Sequence, residues 1–71
     1  MPHYCVNENS LPVSGHHEVH DVASAEGCLP GLEHRRSLGW HPDCTSAVAA
    51  ARRYFAVVRG CFECARDCHP T

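Results

Sequence analysis

The chain reads as a small α+β domain with a β-hairpin, one central helix and a cysteine-rich C-terminal knuckle, stapled by metal. Three observations predict this. Two short runs near the N-terminus carry β-branched and aromatic residues on either side of a turn-rich loop. One stretch, 44–58, repeats its apolar residues at helical spacing. Residues 60–70 then set Cys61, Cys64, Cys68 and His69 in a Cys-x2-Cys-x3-Cys-His pattern.

A chain of 71 residues makes a single domain, 1–71, with a small core. Cores of this size usually need a covalent or metal staple. Six cysteines and seven histidines supply the means. Met1-Pro2-His3-Tyr4-Cys5 has no basic start, apolar run or small-residue cleavage pattern. We therefore expect a cytoplasmic protein whose reduced thiols favour metal over disulfides. No run of about 18 apolar residues predicts a membrane span. The formal net charge of -2 carries no global nucleic-acid signature. Five acids and no Lys or Arg lie in residues 1–34, whereas all six arginines lie in 35–71.

Tyr4-Cys5-Val6 is the first predicted strand. It ends at Asn7-Glu8-Asn9-Ser10, and Pro12 and Gly15 extend the loop. The second strand is His16–Val22, with His17, Val19 and Asp21 on one face and His16, Glu18 and His20 on the other. The two are expected to pair as a hairpin. Residues 23–31 read as irregular, with Cys28-Leu29-Pro30 as an anchor and Leu29 and Leu32 turned inward. Residues 33–37 read as polar and exposed, and Trp40 as a residue at the core's edge. Asp43, just after Pro42, is the expected N-cap of the helix. Its apolar stripe is Cys44, Ala47, Val48, Ala51, Phe55 and Val58, and Gly60 is placed just past its end.

A helix over 44–58 would be about 21 Å long. Two thiolates on one zinc lie within about 4 Å of each other. Cys44 and Cys61 would then occupy different places. The lower place is the C-terminal knuckle. Cys61 and Cys64 have a recurrent zinc-ligand spacing, Cys68 stands one helical turn beyond Cys64, and His69 adds a nitrogen. The fourth ligand is expected from a distant element, because closing a long loop stabilises most. His17 and His20 are the options, and His20 is preferred. The expected ligands of Zn2+ are therefore Cys61, Cys64, one of the neighbours Cys68 and His69, and His20. His17-Glu18-Val19-His20 is one residue short of the zinc-protease motif, and no helical pattern surrounds it. The upper place gathers Cys44 with Cys28 or Cys5 approaching it: Cys44 packs as a small core residue, or a Cys5–Cys28 or Cys28–Cys44 disulfide or a second metal forms there.

Tyr4-Cys5-Val6-Asn7, the His17–His20 segment, Cys28-Leu29-Pro30, Leu38-Gly39, Cys44 with Ala47-Val48, Gly60-Cys61-x-x-Cys64 and Cys68-His69 resemble a family of small Cys/His-rich bacterial proteins of unassigned role. The likeness runs over nearly the whole chain. It implies a small zinc-binding protein and brings no reaction or substrate with it.

No catalytic triad, phosphate loop or carboxylate pair is visible, so no enzyme is expected. The leading expectation is a structural zinc module that binds or regulates a protein or nucleic-acid partner, with Arg52, Arg53 and Arg59 as contacts. A thiol redox sensor or metal chaperone, and a disulfide-stapled peptide, are the alternatives.

Overall fold

The structure is a computed structural model and describes residues 2–70. The fold is α+β. Four strands, β1 (His3–Asn7), β2 (His17–Asp21), β3 (Arg35–Trp40) and β4 (Val58–Gly60), form one mixed sheet in the order β3-β1-β2-β4. Among the described residues one α-helix, α1, spans Cys44–Ala51. The expected hairpin is present: β1 and β2 pair antiparallel, with Cys5 opposite His20 and Val6 opposite Val19.

Two strands lie where the sequence predicted none. β3 was read as an exposed polar stretch followed by Leu38, Gly39 and Trp40. It pairs antiparallel with β1, shifting register between Tyr4 and Cys5. Its outer side is solvated, which is why it lacks an apolar alternation. β4 was read as the end of the helix. It pairs parallel with β2, setting His17 opposite Val58 and Val19 opposite Gly60.

α1 starts where expected. The Asp43 side chain accepts a hydrogen bond from the Thr45 amide at 3.0 Å, satisfying one donor of the open first turn. It ends seven residues early, at Ala51 rather than 58. Arg53, Tyr54 and Phe55 continue only as turn hydrogen bonds to Ala50 and Ala51. The residues that follow include Tyr54, Phe55, Val57 and Val58, which favour extended backbone. Val58 exchanges helix for a place in the sheet. The separation of about 21 Å inferred for Cys44 and Cys61 therefore does not apply, because the chain doubles back after Ala51.

The main core lies between one sheet face and the helix. Tyr4, Val6 and Val19 pack there with Ala47, Val48, Ala51, Val58 and Ala65. The largest fully buried side chains are only Val6, Val19 and Cys5. So small a core gives limited hydrophobic stabilisation and leaves room for staples to matter. One is a disulfide between Cys44, in the first turn of α1, and Cys68, with Cα atoms 6.2 Å apart. This corrects the expected Cys28–Cys44 or Cys5–Cys28 disulfide: Cys5 and Cys28 are both free thiols. Leu32 and Trp40 are also corrected, being 78% and 66% exposed. Leu32 sits on a 3-10 turn over Leu32–His34, and Trp40 lies at the sheet edge against His3, ring centroids 5.0 Å apart. Among the described residues no helix is long and apolar enough to cross a membrane.

Candidate metal centre

Side chains alternate along a strand, so Cys5 and His20 point away from the face that Val6 and Val19 turn to the helix. Both are 2% exposed. The second face is thus buried as well, by the loop that leaves β2 and by the segment that follows β4.

Four ligand atoms converge there. One atom each from His20, Cys28, Cys61 and Cys64 lies within 4.8 Å of all the others. They come from three parts of the chain. His20 is on β2. Cys28 is on the loop after β2, where Gly27 takes a φ of 75°, a left-handed turn that suits a residue without a Cβ. Cys61 and Cys64 flank the turn after β4, placed by the Cys61 amide's 2.9 Å bond to the Val19 carbonyl.

The surroundings suit a cation. The Sγ of Cys64 lies 3.5 Å from His20 Nδ1 and accepts from the Asp21 amide at 3.4 Å. Cys61 Sγ accepts from the Glu63 amide at 3.4 Å. Amides directed at sulfur stabilise thiolate charge. Burial acts the other way. It pushes the Cys61 and Cys64 thiols up, and the neighbouring Cys28 adds to this. It pulls His20 below its ordinary value of 6.5, against the opposing effect of Glu18. A neutral imidazole and three crowded thiols form a donor set that a divalent cation would charge and bind.

Of the five sequence-predicted ligands, the structure gathers His20, Cys61 and Cys64. It corrects Cys68 and His69. The segment after Cys64 is not one continuous helix: Ala65 breaks it at φ -139° and ψ 47°, and a 3-10 turn follows over Arg66–Cys68. That break turns Cys68 to Cys44 instead. His69 packs its ring edge-on against Phe62, centroids 5.4 Å apart. Cys28 takes the remaining position, and sequence reasoning missed it. Its signal was its place on the loop that follows the His20 strand; the sequence alone offered Cys28 as a partner for Cys44 or Cys5.

His17, the other option on β2, stacks on Phe55 with centroids 3.8 Å apart and hydrogen-bonds the Asn7 carbonyl at 2.9 Å. Cys5 is a free, buried thiol beside the group but not part of it. Burial raises its pKa, while the Arg35 guanidinium pulls it down.

Compared with protein-family profiles, curated proteins and solved structures, the chain matches none.

Proposed function

We propose that the chain is a small structural zinc protein whose ion is held by His20, Cys28, Cys61 and Cys64. The observation that carries this reading is the convergence of those four ligand atoms within 4.8 Å. An ion would draw such a group in to about 4 Å, the spacing of ligands around tetrahedral zinc. Three thiolates and one imidazole suit zinc rather than magnesium or calcium, which prefer oxygen.

The site is closed. Four protein ligands complete a tetrahedron and leave no open position for water or substrate, which distinguishes structural from catalytic zinc. The ion ties β2, its following loop and the C-terminal knuckle together. It would stabilise the sheet face that the helix does not cover, and metal-binding free energy becomes folding free energy.

Native mass spectrometry of freshly purified protein tests this, because it reads bound metal and thiol state together. One zinc per chain with a single disulfide supports the reading. A metal-free chain with Cys28, Cys61 and Cys64 in further disulfides overturns it. Replacement by Co2+ adds a spectroscopic check, since a tetrahedral three-thiolate site gives intense visible bands.

A further inference from the structure

A pocket of about 400 Å³ opens between the end of α1, the edge strand β4 and the C-terminal turn. Val48 and Val58 supply apolar wall. Around them stand His16, Arg52, Arg59 and His69, with Asp67 in the lining and Glu18 in ion-pair range behind Arg59. In a chain of formal net charge -2 this is a local concentration of cationic and protonatable groups.

A second observation points to the same place. Among the described residues two buried side-chain nitrogens lack a hydrogen-bond partner, His16 Nδ1 and Arg59 Nε. Both residues line this pocket, although the two nitrogens themselves are enclosed and a ligand would reach them only once the side chains turn. Buried polar atoms are nearly always satisfied, and an exception calls for an explanation such as a bound ion. Glu18 does not satisfy Arg59: its Oε2 lies 3.6 Å from Nε, within ion-pair range but beyond a hydrogen bond.

We propose that this pocket binds the phosphate group of a small phosphomonoester. Two guanidinium forks offer paired donors to phosphate oxygens, and two imidazoles add single donors around them. The opening is larger than a phosphate ion needs, and its valine wall gives an organic substituent an apolar surface. Each wall is set by a different part of the fold. Arg52 stands at the end of α1, Arg59 on β4, and His69 on the tail that the Cys44–Cys68 disulfide pins to the helix.

The test is an NMR titration of the purified protein, its metal content recorded, with inorganic phosphate exchanged for chloride at constant ionic strength. The ring signals of His16 and His69 and the Nε–H signals of Arg52 and Arg59 are expected to move on one saturable curve. The Arg52→Gln/Arg59→Gln double variant should weaken binding at least tenfold, whereas Arg53→Gln, outside the lining, should not. If the double variant does not fold, Arg52→Gln alone, at an exposed position, gives the comparison. Shifts that never saturate, an Arg53→Gln loss equal to that of the pocket variants, or acetate saturating the same signals equally well would overturn the proposal.

Discussion

His20 Nδ1 and Cys64 Sγ lie 3.5 Å apart although they stand 44 positions apart in the sequence. β4 makes the contact. By pairing parallel with β2 it carries the C-terminal cysteines alongside the strand that holds His20. A helix extending to 58 would have carried them away from it. The shortness of α1 is thus what allows a four-donor group to form.

The ligand set yields the sharpest prediction. Cys28→Ser should lower zinc affinity by orders of magnitude, as should His20→Ala, because each leaves three donors. Cys5→Ala, beside the group, and His17→Ala, on the helix side of the sheet, should keep one zinc per chain. Metal content after dialysis against a weak chelator measures this. Zinc retained in Cys28→Ser and lost in Cys5→Ala would show that Cys5 is the ligand.

The disulfide should stabilise the fold independently of the metal. It closes a loop with a sequence separation of 24, and constraining the unfolded chain over that length contributes about 3 kcal/mol. The Cys44→Ala/Cys68→Ala double variant should therefore melt well below the parent while still binding one zinc. Calorimetry of both proteins, each with zinc content determined, checks the two halves of the statement. Loss of zinc along with the disulfide would contradict it.

Protons should define a window for the metal-free protein. Burial holds His20 below its ordinary 6.5, so the folded state disfavours its charged form. That contribution is present above about pH 6.5 and is lost as pH falls through the lowered value. Cys61 and Cys64 are raised above their ordinary 9.0, so their contribution is present below about pH 9 and declines as pH rises toward the raised values. The chelator-treated protein should thus melt highest between roughly pH 6.5 and 9. The zinc-loaded protein should hold its stability above pH 9, because the ion binds thiolates, and should lose zinc in acid as protons compete for the ligands. Melting curves of both forms across pH test this, and identical profiles would count against a metal centre.

Gly60 should tolerate no side chain. A Cβ there would lie 2.5 Å from the Ala65 carbonyl oxygen and 2.6 Å from the Cys68 Cβ. Both neighbours are held, one as backbone and the other by the disulfide. Gly60→Ala is expected to cost about 1–3 kcal/mol, the usual penalty for overpacking. It should also weaken zinc binding by displacing the adjoining Cys61. Chemical denaturation together with zinc affinity reads both effects, and an unchanged protein would show that the knuckle is loosely attached.

Local chemistry determined a good deal of this molecule. Alternation and a turn-rich loop marked the β1–β2 pair, and Asp43 followed by apolar residues at helical spacing marked the start of α1. The Cys61–Cys64 spacing marked one half of the donor group, and His20 was picked out as a distant partner on a β-strand. Apart from the assignment of His20, each of these signals lies within one short segment, where backbone geometry alone relates its residues. Tertiary structure decided the rest. Val58–Gly60 is too short to declare itself a strand, and only hydrogen bonding to β2 makes it one. With that pairing the chain turned back at Ala51, the second sheet face closed over His20, and Cys28 came to the donor group. Cys68 went to Cys44 because Ala65 breaks the backbone between the two cysteines that sequence spacing had placed on one helical face. Which sulfur meets which partner depends on how distant segments pack, and a spacing read along one segment does not contain that.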